Sequence, residues 1–297
     1  MRKTQLKSSR SFWLKFIVFI TVLTLGTSLA VSGRVIPAEH LLTNLAAQNL
    51  PPMVPGHLLG TDNLGRDLLS MLICGASGTL IVAFCAALAS ALFGYAFGAA
   101  SGLSGGLLDG LMMRFVDALL SVPSIILLLT ISSLISAPEF IRALPDGVLS
   151  ILGVTDYSLG RLPMLSVIVS IAATSWLESA RVARGLVLSL KEEEYILAAR
   201  ALGCDNLALL KRHISRALSS VAALEATLLT ADAIIMESGL SFIGLGLGPS
   251  TPSWGSLLRD AQPGLLYGNW WAAVLPGLCI SATVLALHLT SRKYNMR

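Results

Sequence analysis

Charge is scarce in this chain. Only 13% of its 297 residues are Asp, Glu, Lys or Arg, where an ordinary soluble domain carries about a quarter, and 54% are hydrophobic. The mean hydropathy is +0.75, which excludes an ordinary soluble domain and indicates a multi-span membrane protein. The apolar segments are continuous rather than alternating every second residue, so helices and not barrel strands are the spanning elements, and the fold class is all-α. Four cysteines, Cys74, Cys85, Cys204 and Cys279, are scattered without a CxxC pair, which excludes a disulfide framework or a thiolate metal site. His40, His57, His213 and His288 are too dispersed for metal-ligand spacing. No GxxxxGK[ST] phosphate loop occurs, and the glycine-rich run 239–248 has no lysine, so ATP chemistry is not expected in this chain and no cofactor is indicated. No motif assembles a nucleophile, a base and an oxyanion donor, which leaves enzymes a distant class. The net charge of +4 carries no nucleic-acid signal, because in a membrane chain the side on which cations lie is the informative quantity.

What is present is a set of six apolar runs. Residues 1–31 form a basic tail, with Arg2, Lys3, Lys7, Arg10 and Lys15 ahead of an apolar run at 16–31. A signal peptide fits this pattern, with Ser28 and Ala30 at a small-residue cleavage site; an uncleaved first span is favoured because the run approaches spanning length and further spans follow. Residues 32–77 are polar and contain Pro51, Pro52 and Pro55, as expected of an extracytoplasmic segment. The membrane core covers 78–289, with spans near 79–98, 111–135, 163–177, 217–236 and 270–289, and 290–297 form a short tail. Gly94 and Gly98, four apart, give the second span a small-residue face for close helix packing. Pro123 is expected to kink the third. Six spans put both termini on one side, where 16 of the 21 Lys and Arg residues fall, so the termini are expected in the cytoplasm.

The longest charged interruption is SLKEEEYILAARALGCDNLALLKRHISR, residues 189–216, within a coupling loop spanning 186–216. Ser189 and Glu192 have capping-box spacing and predict a helix start. Gly203 suits a left-handed stop, and Asp205 can cap a second helix with Leu207, Leu210 and Ile214 on one face. The same positive-inside count places this helix pair in the cytoplasm. Either it docks on a partner or it is an ordinary amphipathic interfacial helix; for docking, Ala198 and Ala199 permit close approach, and Ile196 with Leu202 offers apolar anchors.

YILAARALG (195–203), followed by His213 and Ile214, resembles the cytoplasmic EAA loop of permease subunits in bacterial binding-protein-dependent ABC importers. HLLGTDNLGRD (57–67), SFIGLG (241–246) and TPSWG (251–255) resemble motifs of the dipeptide, oligopeptide and nickel permease family, in that family's order, and are most similar to its dipeptide permease C type. Leu197 stands where the family usually has the Glu of its EAA triplet, and Ser215 and Arg216 replace the usual Leu and Pro. The resemblance implies six transmembrane helices in the bacterial inner membrane and a translocation pathway shared with a second permease. It also implies two cytoplasmic ATPases, which bind the ATP, and an extracytoplasmic binding protein. It assigns ATPase coupling to Glu194, Tyr195, Ile196, Ala198, Ala199, Leu202, Gly203, His213 and Ile214. Peptides are the implied cargo, with nickel or a metal chelate as the alternative.

Glu225 and Asp232 lie seven apart in the fifth span, on one helical face. Acids in lipid usually meet a cavity or a partner, so these two either line a pathway that favours cationic or amine-bearing ligands, or bond neighbouring helices. They would also serve as ion-coupling carboxylates if the chain were a gradient-driven secondary transporter. Glu237 matches a family position and suits either an outer gate or an interfacial carboxylate. Asp109, Arg114 and Asp117 read as helix-end anchors. Trp176, Trp254, Trp270 and Trp271 suit membrane interfaces, and Trp254 also suits a role in ordering the outer loop.

Overall fold

The computed structural model describes residues 42–137, 139–140, 161–210, 214–248 and 251–295. The expected first span, at 16–31, and His40 and His213 lie outside them. Among the described residues there is no sheet, only the isolated bridges Val54 to His57 and Thr61 to Asp67. Helix α1 (Leu68–Ser104) starts ahead of the expected residue 79, because the Asp67 side chain accepts the Ser70 amide at 2.9 Å and caps it. Its 37 residues rise about 55 Å, more than a bilayer core needs. It ends at Gly105, where φ is +64°.

The expected single third span is two helices, α2 (Gly106–Leu120) and α3 (Ser124–Ile135), bent by 89°. Pro123 has no amide hydrogen and drives the residue before it out of helical geometry, and α3 then packs sideways on α4 (Arg161–Lys191). The kink expected at Pro123 is present, and at 89° it is far sharper than a proline bend within one span. Two short helices follow, α5 (Glu194–Ala201) and the single turn α6 (Asn206–Leu209). After them come α7 (Ser215–Ile243), α8 (Trp254–Leu265) and α9 (Trp271–Asn295). Four of these, α1, α4, α7 and α9, are long and apolar enough to cross a membrane, or five spans if the bent pair counts as one.

The bundle is built on α1 and α4. Gly94, Gly98 and Gly102 form a stripe along α1, and a Cβ on Gly94 would lie 2.5 Å from Ser179 Cβ, while one on Gly98 would run into the Ala180 carbonyl. The small-residue face read from Gly94 and Gly98 is therefore a real contact surface. Helix α7 packs on the same side of α1, and α8 and α9 close over α7.

Candidate functional site

At one end of the bundle lies the charged stretch. Helix α4 does not stop near residue 177 but runs to Lys191, because Leu177, Ala180, Ala183 and Val187 continue its buried face through the arginines. The capping box at Ser189 is therefore not formed: its hydroxyl donates to the Leu186 carbonyl at 3.1 Å within α4. The next helix, α5, begins at Glu194 after an extended Glu193. Gly203 has φ +86° and ends it, as expected, and the Asp205 carboxylate accepts the Ala208 amide at 2.9 Å. The second helix is shorter than expected; Leu209 at its end and Ile214 beyond it are buried, with Leu210 half-buried.

Ile196 requires a correction. It is 0% exposed and sits with Tyr95, Ala99 and Leu103 of α1, Ala183 and Val187 of α4, and Leu209, Ile214 and Leu218. It anchors α5 to this chain. The outward face consists of Glu194, Tyr195, Leu197 and Ala198, with Leu202 at 87% exposed; Ala199 is half-buried beneath it and Gly203 is exposed.

Beside α5 lies a group that the sequence reading underrated. Arg184 holds Asp109 with two bonds, Nε to Oδ1 and Nη2 to Oδ2, both 2.7 Å, and the Ser101 hydroxyl donates to Oδ1 at 2.5 Å. Lys191 Nζ donates to the Gly102 carbonyl at 2.7 Å, at the frayed end of α1. Asp117 pairs with Arg181 at 2.6 Å on the surface. Asp109 and Asp117 are thus cross-links between α2 and α4, whereas Arg114 is exposed. The available signal was Asp109 and Asp117, spaced along the mostly apolar α2, with Arg181 and Arg184 three apart on α4.

At the opposite end the three loop motifs meet. The 57–67 segment is a compact turn in which Asp62 accepts the amides of Leu64 and Arg66 and the Arg66 guanidinium at 2.7 Å. Asn63 ties it to the Asp260 carbonyl in α8. Trp254 is buried, not interfacial: its indole donates to the Leu72 carbonyl at 3.0 Å and its amide to Thr79 Oγ1 at 3.1 Å, both on α1. Gly255 lets this turn seat against α7, since a Cβ there would lie 2.5 Å from the Ser238 carbonyl oxygen. Glu237 is fully buried, accepts from Ser241 at 2.6 Å, and lies among the hydroxyls of Thr79, Ser238, Ser241 and Ser253. Trp176 is also buried, edge-on to Phe93 and Phe97, while Trp270 is exposed and Trp271 half-buried.

Between these ends, Glu225 is half-buried and accepts the Tyr95 hydroxyl across the α1–α7 contact. Asp232 is exposed on α7, within electrostatic reach of Glu178 on α4 and His288 on α9. The two acids share a helix face and both lie within electrostatic reach of Glu178, but only Glu225 has a hydroxyl partner in Tyr95.

Residues 94–292 match the family described as the binding-protein-dependent transport system inner membrane component. The chain belongs to that family. It is 30% identical over 289 residues to the dipeptide transport system permease protein DppC of Bacillus subtilis (strain 168), covering 97% of this chain and 80% of that protein. It is also 30% identical to the oligopeptide permease OppC of the same organism, over 78% of this chain and 68% of OppC. Against the di/tripeptide permease DppC of Pseudomonas aeruginosa (strain UCBPP-PA14) the identity is 32%, over 78% of this chain and 68% of the relative. Membership in this permease family accounts for the bundle without an ion-coupling role for Glu225 and Asp232, and does not favour the secondary-transporter alternative. The matched region runs from Gly94 in α1 to Arg292 in α9, so it contains the α5 surface, the Asp109 group, Glu237 and Trp254, but not Leu72 or Thr79.

Proposed function

We propose that this chain is the permease subunit of an ATP-driven, binding-protein-dependent importer of peptides in the bacterial inner membrane. The observation that carries the coupling assignment is α5: a short helix pinned by Ile196 into the joint of α1, α4 and α7, with Leu202 standing almost fully exposed. An eight-residue helix has little stability alone, so its order comes from that seat, and whatever pushes its outer face pushes the bundle. On this reading a cytoplasmic ATPase docks on Glu194, Tyr195, Ala198, Ala199, Leu202 and Gly203, with Ile196 and Ile214 as the inner seat, and His213 belongs to the coupling set on its sequence position alone. Two such ATPases bind and hydrolyse ATP, a second permease completes the pathway, and an extracytoplasmic binding protein delivers cargo. The apolar run at 16–31 and the broken α2–α3 pair bring the spans to six, with both termini in the cytoplasm. The functional divisions are 1–31, 32–77, 78–289 and 290–297.

The relatives' names support peptides as cargo. Asp232 and Glu225 line the pathway: an exposed carboxylate on a spanning helix is tolerated where it meets water or a partner, and it favours cationic or amine-bearing ligands. Glu237 and Trp254 shape the outer gate by joining α7, α8 and α1. The test is copurification of the tagged chain from its own membranes, followed by identification of associated proteins and bound ligand. An ATPase with a phosphate loop, a secreted binding protein and a bound peptide are expected. A nickel complex in place of a peptide would replace the cargo assignment, and transport by the purified single chain under a proton gradient would overturn the importer.

A further inference from the structure

We propose that Asp109 is a positioning residue for energy coupling: its grip on Arg184 makes the broken helix α2–α3 move with α4, and so carries displacement of α5 toward the outer joint. This rests on the importer reading above.

The geometry is that of a rigid clamp. Asp109 is buried, and both of its oxygens are occupied, by the fork of Arg184 and by Ser101 of α1. A bidentate guanidinium–carboxylate pair fixes orientation as well as distance. Seven residues further along α4, Lys191 donates to the Gly102 and Leu103 carbonyls at 2.7 and 3.3 Å, groups left free where α1 ends. Between these two bonds Val187 lies against Gly102, where an added Cβ would be 2.9 Å from Val187 Cγ1. The last two turns of α4 are therefore locked to the end of α1 and the start of α2 at the same time. Only Glu192 and Glu193 separate that segment from α5, and Val187 and Ile196 share one buried cluster. A push on α5 has no slack segment to absorb it.

The far end of the strap completes the path. Beyond the 89° bend, Leu128 of α3 is buried with Val167 and Ile171 of α4, in the cluster that includes Leu247, Trp254 and Leu257 of the outer joint. The broken helix thus grips α4 by charge at Asp109, by Met113 and Val116 packed on Trp176, Leu177 and Ala180, and by apolar packing of α3 near Trp254. Asp117 with Arg181 lies between these grips, but its side chains are 59% and 56% exposed, and an exposed pair contributes little.

The experiment uses the complete transporter, with both permeases, ATPases and binding protein, in proteoliposomes. It measures basal hydrolysis, hydrolysis stimulated by loaded binding protein, and peptide uptake for Asp109→Asn, Arg184→Gln, the exchange Asp109→Arg with Arg184→Asp, and Asp117→Asn. Asp109→Asn and Arg184→Gln should keep basal hydrolysis while uptake per ATP falls about tenfold. The exchanged pair should recover part of it, and Asp117→Asn should change it by less than about twofold. Where Asp109→Asn does not assemble, Asp109→Glu, which keeps the charge but displaces the carboxylate, decides by the same ratio. Unchanged uptake per ATP in the assembled variants, or losses of uptake and hydrolysis that merely follow the amount of complex, overturns the proposal. Absence of stimulated hydrolysis in the wild-type complex would instead remove the importer reading on which it rests.

Discussion

Truncating Ile196 to alanine separates the two halves of the coupling account. The side chain is 0% exposed and closes a cluster drawn from α1, α4, α6 and α7, so Ile196→Ala removes buried carbons and leaves a cavity, a change that costs about 2–5 kcal/mol. The eight residues of α5 cannot hold a helix by themselves, and Ile196 is their only fully buried side chain among the described residues. The loss therefore falls on the local opening of α5 rather than on the whole bundle. At 1.4 kcal/mol per decade, even the low end of that range raises opening about 30-fold. Hydrogen exchange of the purified transporter in lipid nanodiscs should show faster exchange by that factor at 194–201, with the amides of α1 and α4 unchanged. Leu202→Ala, by contrast, should leave exchange at 194–201 as it was and weaken ATPase association, because a leucine buried at an interface contributes about 1.5–3 kcal/mol, roughly 10- to 100-fold in affinity. Unchanged exchange in Ile196→Ala, or faster exchange at 194–201 in Leu202→Ala with ATPase association intact, would refute the division of α5 into an inner seat and an outer face.

The remaining predictions concern the bundle and its charges. Gly98→Leu places a side chain where α1 meets the Ala180 carbonyl; it should prevent close packing of α1 on α4 and abolish recovery of a monodisperse complex, while Gly110→Leu, with open space around it, should not. Glu225→Gln with Asp232→Asn should weaken uptake of lysine-containing peptides about tenfold relative to neutral ones, read by competition in the assembled transporter; equal loss for both classes would remove the pathway assignment. Trp254→Phe keeps the ring but leaves the Leu72 carbonyl without its indole donor, a cost of about 1–3 kcal/mol, and should lower the unfolding temperature of the complex.

Much of the helical architecture was legible because bilayer solvent imposes it. Long apolar runs, the Gly94 and Gly98 stripe, the Gly203 stop and the Asp205 cap are all local or periodic signals, and those falling among the described residues agree with the structure. Helix boundaries were harder. Arg181, Arg184 and Lys191 suggested that the fourth span had ended, yet the buried face of α4 continued between them and their charges were answered by Asp117, Asp109 and the end of α1. Ser189 therefore lost its cap role to an uninterrupted helix. Pro123 announces a break, but the 89° angle follows from where α3 finds apolar neighbours on α4. Ile196 looked like an exposed anchor because a short amphipathic helix does not say which of its faces meets its own chain. The surroundings of Glu237 come from residues 79, 238, 241 and 253, a grouping that only the folded joint of α1, α7 and α8 brings together.

The most direct test of the central claim is photo-crosslinking from α5 in intact cells, with a photoreactive amino acid placed at Leu202 and, as a control, at Ile196. Leu202 is predicted to crosslink to a cytoplasmic ATPase subunit, and Ile196 only within its own chain. Crosslinks from Leu202 that reach lipid alone, in cells where the transporter is active, would contradict the assignment of this helix as the docking surface.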